Sequence, residues 1–289
     1  MTRTRNKLSG IVFGILGVLV LAAIWELYKW LGPTNGVAGI LPKSDDRAMP
    51  HLWSMVTRAF ESVNSTQGSE VLWLAVVKAS LNSLGVAAAG WLFGSLIGFL
   101  LALLMQRFAV AERAVLPWLI LSQTVPLIAL APVIVTLGGK IQIGAFEWEK
   151  WMSVAVVASF LAFFPVAVGA LRGLSSPTVI HLELMRTYGI GWWKTLLKLR
   201  LPASVPYLLP GLALGAVSAI VGTVVGEVSV GYSGGIGRMI IAFAQSTSSD
   251  PNKPYAPIAG AVLMGLTAAG LVALIGLGLS RYRRQESST

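Results

Sequence analysis

The chain has 289 residues, with 22 Lys and Arg against 12 Asp and Glu, for a formal charge of +10. Only 12% of the residues are charged, 55% are apolar and the mean hydropathy is +0.74, whereas a soluble domain carries roughly a quarter charged residues. That excludes a free globular domain and a disordered chain, and the lack of cysteine excludes disulfides, iron–sulfur clusters and thiol catalysis.

Charge-free runs set the architecture. In chain order they are Leu8 to Trp25, Ala79 to Gln106, Ala114 to Gly139, Trp151 to Leu171, Leu201 to Gly226 and Pro254 to Ser280, of 18, 28, 26, 21, 26 and 27 residues. A bilayer-spanning helix needs about 20 apolar residues, so six spans are expected and the fold class is an all-α integral membrane protein. Arg3, Arg5 and Lys7 precede the first run as they would in a signal peptide. The run is long for one, however, and no small-x-small site ends it before Trp25-Glu26, so a retained helix is expected. The chain then divides into a first span with an extracytoplasmic segment (1–70), a five-span core (71–280) containing a loop at 172–202, and a basic tail (281–289).

An even number of spans puts both termini on one side. With that side inside, residues 1–7, 107–113, 172–200 and 281–289 carry +3, +1, +4 and +2, and the outer segments 26–78, 140–150 and 227–253 balance to zero. The whole excess lies on one face, as the positive-inside rule requires. The expected location is therefore a cell membrane, multi-pass, with both termini cytoplasmic. Nucleic acid loses its place as the partner of the basic charge.

Residues 32–70 form the longest segment outside the spans. Within it, His51 to Val63 carries Leu52, Met55, Val56, Ala59 and Phe60 at helical spacing and predicts a short amphipathic helix at the outer interface. Trp25, Trp30, Trp53, Trp73, Trp148 and Trp151 lie near the outer boundaries, as an aromatic belt would. The two halves show no internal repeat. Pro117, Pro126 and Pro132 fall in the third span, Pro165 in the fourth, and Pro206 and Pro210 in the fifth, so these helices are expected to be broken. Gly90, Gly94 and Gly98 recur every four residues in the second span, a stripe that permits close helix packing.

The loop between the fourth and fifth spans is the most informative segment. Ser176 is a candidate N-cap with Pro177 in the first turn, a helix is expected to run to Tyr188, and Gly189 is expected to end it in a left-handed cap. A second amphipathic stretch, Trp192 to Arg200, leads to Pro202, where the fifth span is expected to begin. Leu182, Met185, Trp192 and Trp193, rimmed by Arg186, Lys194 and Lys198, form more apolar surface than a solvated loop needs.

This loop resembles the cytoplasmic signature of the permease subunits of bacterial ATP-binding-cassette importers, which is Glu-Ala-Ala, three residues, Gly, nine residues, then Ile-x-Leu-Pro. Glu183, Gly189, Leu199, Leu201 and Pro202 fall at its positions without a gap, while Leu184 and Met185 replace the alanines and Leu199 the isoleucine. The stretch Ser122-Gln123-Thr124-Val125-Pro126-Leu127-Ile128-Ala129-Leu130-Ala131-Pro132 is similar to the third span of the nitrate, sulfonate and taurine permease group. Phe163-Phe164-Pro165, the stretch Leu201 to Leu212 and Val225-Gly226-Glu227 fit the same group, so the likeness covers about residues 70–280. Ser-Gln-Thr-x-Pro stands nearest the permeases for thiamine-pyrimidine precursors and riboflavin.

The resemblance implies a type I importer permease of a bacterial inner membrane. It implies two cytoplasmic ATPases that bind ATP and Mg, a second permease copy or paralogue, and an extracytoplasmic solute-binding protein. It also implies ATPase-coupling roles for Leu182, Glu183, Met185, Arg186, Gly189, Leu199 and Pro202, with Glu183 anchoring the loop.

The chain itself has no phosphate-binding loop: Gly139-Lys140 lacks the rest of one, and Gly234-Gly235-Ile236-Gly237 has no Lys-Ser/Thr after it. Energy is expected from a partner, with no cofactor, metal or catalytic residue in this chain. His51 and His181 fall on opposite faces of the membrane and cannot form one metal site. The glycines at 231–237 point to tight packing of an outer loop. Ser122, Gln123, Thr124 and Glu227 are the polar groups at membrane depth and the candidates for a translocation path. A carrier or channel working alone is the competing reading, and the loop signature separates the two.

Overall fold

The computed structural model describes residues 2–33, 43–64, 68–144 and 146–278; the basic tail at 281–289 lies outside the described residues. The elements are α1 (Thr2–Leu31), α2 (Leu52–Ala59), α3 (Leu72–Arg107), α4 (Ala109–Ser122), α5 (Leu127–Gly138), β1 (Gln142–Ile143), β2 (Phe146–Glu147), α6 (Lys150–Leu174), α7 (Val179–Thr187), α8 (Trp192–Thr195), a π-helical turn (Leu196–Arg200), α9 (Leu201–Val230), α10 (Ile236–Ala244) and α11 (Tyr255–Gly278). β1 and β2 are a two-residue antiparallel pair that turns at Gly144, where φ is +62°.

Five helices are long and apolar enough to cross a bilayer: Val12–Leu31, Leu72–Arg107, Lys150–Leu174, Trp192–Val230 and Tyr255–Val272. The pair α4 and α5 makes a sixth span if counted together, bent by 103° at residues 123–126. All six charge-free runs therefore correspond to helices, and the third is broken as its prolines predict. The other proline-bearing runs are not: α6 passes through Pro165, and α9 through Pro206 and Pro210, as continuous helices. What distinguishes them is the mutual packing of α6 and α9 along their length, which holds each helix across the missing donor.

The described residues form two compact units. Those up to Val76 together with Ile240–Ala259 make one, and those of Val77–Met239 and from Gly260 onward make the other. In the first, α1 continues past the end of its charge-free run because its charges find partners. Glu26 accepts the Leu52 amide (2.8 Å) and contacts His51 Nδ1 (2.9 Å). Lys29 donates to the Ser44 carbonyl (3.1 Å) and to Asp46 (2.5 Å), and this hydrogen bond holds the Asp46 carboxyl below its ordinary range. The amphipathic helix expected after His51 is α2, which ends one turn earlier than its apolar pattern, at Phe60.

In the second unit α6 is the central helix. Val154, Val157, Ala158, Ala162, Val166, Ala167 and Ala170 are fully buried. On one side, Gly90 and Gly94 of α3 face Ala158 and Ala162, and Gly98 faces the Phe163 carbonyl. On the other, Gly211 of α9 faces Gly169, Gly215 faces Val166 and Gly222 faces Ala158. The stripe predicted on the second span is thus a packing surface. Its glycines let backbones approach where any side chain would collide, and dispersion and close fit drive such contacts in lipid, where no hydrophobic force operates between helices.

A Cβ on Gly94 would stand 2.6 Å from the Ser159 carbonyl oxygen, whereas one on Gly85 would meet nothing within 4 Å. Gly94→Val is expected to cost about 1–3 kcal/mol through overpacking, and Gly85→Ala to leave stability unchanged or raised. Thermal unfolding of the two variants in detergent checks the contrast, and equal midpoints would contradict it.

Candidate functional site: the loop between α6 and α9

The loop expected to hold two helices holds α7 and α8, but their ends differ from the sequence reading. The N-cap of α7 is Thr178, not Ser176. The Ser176 hydroxyl is spent at the preceding helix end, donating to the Gly173 carbonyl (2.8 Å). Ser175 and Ser176 therefore close α6, and Pro177 stands in the turn between helices.

The other end of α7 is as predicted. Gly189 has φ +65°; its amide donates to the Arg186 carbonyl and the Ile190 amide donates to that of Met185, both at 2.9 Å. These two bonds form a Schellman motif, which satisfies the last carbonyls and requires a left-handed residue at its centre. Gly191 then caps α8. The loop is thus a rigid turn between two helix ends.

The second amphipathic stretch is not a separate helix. α8, the π-helical turn and α9 run on as one helical segment, Trp192–Val230. Leu199 lies in the wide turn and Pro202 in the first turn of α9. The cause is local. The Pro202 ring would clash with the carbonyl four residues back, and widening the turn relieves the clash without ending the helix. Trp192 and Leu196 join a core cluster with Ala102, Met105, Leu119, Ala167, Leu171 and Leu174. Arg200 Nη1 donates to the Leu174 carbonyl (2.8 Å), and Gln106, its amide oxygen turned inward, accepts from Nη1 (2.6 Å) and Nη2 (3.2 Å). The guanidinium thereby ties the ends of α3 and α6 to the wide turn, and Arg107 lies 5.1 Å from the Trp192 ring.

The coupling residues that the resemblance places on α7, three as ATPase contacts and Glu183 as the anchor, divide. Leu182 and Met185 are half-buried, while Glu183 and Arg186 are exposed. The outward apolar surface consists of Val179, Ile180, Leu184 and Tyr188, 68%, 77%, 52% and 75% exposed, with Trp193 at 69%. Sequence reasoning missed these residues because which face of α7 turns outward is set by what the helix packs against, not by its own spacing. Among the described residues no cation lies within ion-pair distance of the Glu183 side chain.

The candidates for the path are not brought together. Ser122, Gln123 and Thr124 lie at the break between α4 and α5. Ser122 and Thr124 donate to the carbonyls of Leu119 (2.7 Å) and Leu121 (2.8 Å) of their own helix, so their hydroxyls cap α4 rather than bridge helices; Gln123 is exposed. Glu227 is fully buried. Its Oε1 accepts from the Ser83 hydroxyl (2.5 Å), its Oε2 from the Gly237 amide (2.7 Å), and the Ser83 oxygen accepts the Ile236 amide (2.8 Å). Among the described residues Glu227 has no cation within ion-pair distance; it clasps the 231–237 loop and the N-terminus of α10 to α3, where the helix dipole favours a carboxylate. The tight loop packing predicted for these glycines is present: a Cβ on Gly235 would overlap the Glu227 carboxyl. The apolar pocket of about 380 Å³ bounded by Phe93, Phe146, Trp148, Trp151 and Ser159 offers no free polar group, since Trp148 donates to Ser153 and Ser159 to Val156.

The geometry is that of a multi-span core bearing an exposed, capped helix at the junction of two packed spans. Residues 94–285 match the binding-protein-dependent transport system inner membrane component family, and the chain belongs to that family. It is 31% identical over 71% of its length to the formylaminopyrimidine transport permease protein ThiX of Halalkalibacterium halodurans, covering 77% of that protein. It is 27% identical over 96% of its length to the putative aliphatic sulfonates transport permease protein SsuC of Bacillus subtilis, covering 90% of it. It is also 30% identical over 45% of its length to the riboflavin transport system permease protein RibX of Chloroflexus aurantiacus, covering 44% of it. The protein is a multi-pass membrane permease of an ABC transport system.

Ser83→Ala and Glu227→Gln each leave a buried amide or carboxyl oxygen mispaired, at an expected cost of about 1–3 kcal/mol. The double variant is expected to cost less than the two together, because both act on one network. Unfolding midpoints of the three variants test this; strict additivity would mean the two residues act independently.

Proposed function

We propose that the chain is the translocating subunit of an ATP-driven importer. It pairs with a second permease copy or paralogue, two ATPases that bind ATP and Mg, and an extracytoplasmic binding protein. The proposed orientation, in a bacterial inner membrane with both termini and α7 in the cytoplasm, follows from the charge asymmetry of the segments. The observation that carries the reading is α7 itself: a short helix, apolar outward, closed by a left-handed glycine and continuous through one tight turn with a helix that spans the bilayer. Val179, Ile180, Leu184 and Tyr188, with Arg186, would meet the ATPase. Gly189 fixes the angle, Leu182 and Met185 seat α7, the exposed Glu183 would anchor it against the ATPase, and Leu199 and Pro202 shape the wide turn that passes movement into α9. Closure of the ATPases then swings the spans as rigid bodies between two states.

The polar groups at the α4–α5 break, Ser122, Gln123 and Thr124, carry no cation. Neutral amide and hydroxyl groups suit a neutral hydrogen-bonding solute, a pyrimidine precursor or flavin-like ring, better than a sulfonate, nitrate or taurine anion. Vesicles containing the permease, its ATPase and its binding protein are expected to take up labelled formylaminopyrimidine only with ATP; labelled alkanesulfonate uptake instead would reverse the solute choice. Uptake by the chain alone, without ATPase, would establish the stand-alone carrier.

A left-handed conformation costs a residue with a Cβ about 1–2 kcal/mol, so Gly189→Val is expected to lower coupled uptake roughly tenfold with membrane insertion unchanged. Leu184→Glu is expected to abolish co-purification of the ATPase. Wild-type uptake in the first and wild-type recovery in the second would refute the assignment of α7.

A further inference from the structure

Helix α2 carries its side chains the wrong way round for water. Trp53, Val56 and Phe60 are 61%, 59% and 68% exposed and stand at i, i+3 and i+7, on one stripe. Its single charged side chain, Arg58, points the other way and is only 14% exposed. Arg58 Nε donates to Asp250 (2.6 Å) and Nη1 to the Ser62 carbonyl (3.0 Å), and the Ser54 hydroxyl lies 2.9 Å from Asn252 Oδ1. The polar face of α2 is thus satisfied by protein, and the apolar face is presented outward.

The position of α2 relative to the spans is set at both ends. At its start, Glu26 near the end of α1 accepts the Leu52 amide (2.8 Å), and Trp25 Nε1 donates to the Pro50 carbonyl (3.0 Å). On its polar side, Asp250 and Asn252 lie a few residues before α11 begins at Tyr255, whose ring meets Trp25 edge-on at 6.3 Å between centroids. The end of one apolar helix and the start of another are therefore fixed to α2, and the ends of spanning helices are where a bilayer passes from hydrocarbon to water. The His51 ring, stacked on the Trp53 indole at 4.0 Å, fixes the direction of the first apolar side chain.

We propose that α2 is an interfacial helix that lays Trp53, Val56 and Phe60 into the headgroup–acyl boundary of the bilayer. A protein partner would have to cover a face already held at lipid depth, whereas an indole, a phenyl ring and a branched aliphatic chain are the groups the boundary accommodates. The interaction surface is for lipid, and the α1–α3 connection is moored to the membrane along one side.

The absence of cysteine makes the test direct. Single-cysteine variants Trp53→Cys, Val56→Cys and Phe60→Cys, with Asp46→Cys as the water-exposed reference, carry nitroxide labels in vesicles of phosphatidylethanolamine and phosphatidylglycerol. The ratio of collisions with oxygen to collisions with a water-soluble nickel chelate is expected to be several-fold higher at the three stripe positions than at the reference. A ratio equal to the reference would show an aqueous loop and overturn the proposal. Labels shielded from both reagents would show a covering protein and overturn it equally. Should Trp53→Cys fail to insert, the other two positions decide.

Discussion

The structure rests on backbone approaching backbone across α6. Glycines on α3 and on α9 face alanines and main-chain carbonyls of α6, so the three helices are separated by little more than their own peptide groups. In a bilayer, where lipid tails compete equally for apolar side chains, close fit is what distinguishes a helix neighbour from solvent. Everything that positions the functional loop hangs on this contact. α7 and α8 connect the two helices that pack most intimately, so the loop is held at the ends of both. The same packing explains how α6 and α9 tolerate internal prolines, while α4 and α5, with fewer neighbours, bend.

Two polar fixtures lock the ends of this bundle, and they differ in kind. At the loop end, Arg200 gathers the Leu174 carbonyl and the Gln106 amide, a cation satisfying the negative end of α6 and the last turn of α3. At the other end, Glu227 gathers Ser83 and the first amides of α10, a carboxyl group at the positive end of a helix. Each is a side chain on the α8–α9 segment, so that segment carries the fastenings of both faces.

Much of this was legible in the sequence. Charge-free runs located all six helical spans, the glycine stripe of α3 announced a packing face, and Gly189 announced the cap of α7, because each depends on local chemistry. What was not legible depends on partners distant in the chain. The role of Glu227 is set by Ser83, 144 positions away. The length of α1 is set by Leu52, His51, Ser44 and Asp46, which neutralise charges that otherwise mark a helix end. The start of α7 was misplaced because two hydroxyl residues, Ser176 and Thr178, compete for one cap, and Ser176 is claimed by the end of α6. The exposed stripe, Ile180, Leu184 and Tyr188 rather than Leu182 and Met185, is set by the packing of α7 and not by its own spacing.

The run from Trp192 to Val230 is 39 residues of helix, about 58 Å of continuous rod at 1.5 Å per residue. A rod of that length is a lever. If it tilts by about 5° about its loop end, the far end sweeps about 5 Å, the size of one helical turn, while side chains at the fulcrum barely move. Glu227 lies near the sweeping end, clasping the 231–237 loop. The helix that leads out of the α7 turn is therefore fastened, at its far end, to the 231–237 loop, and a small tilt at the first is a displacement of several ångströms at the second.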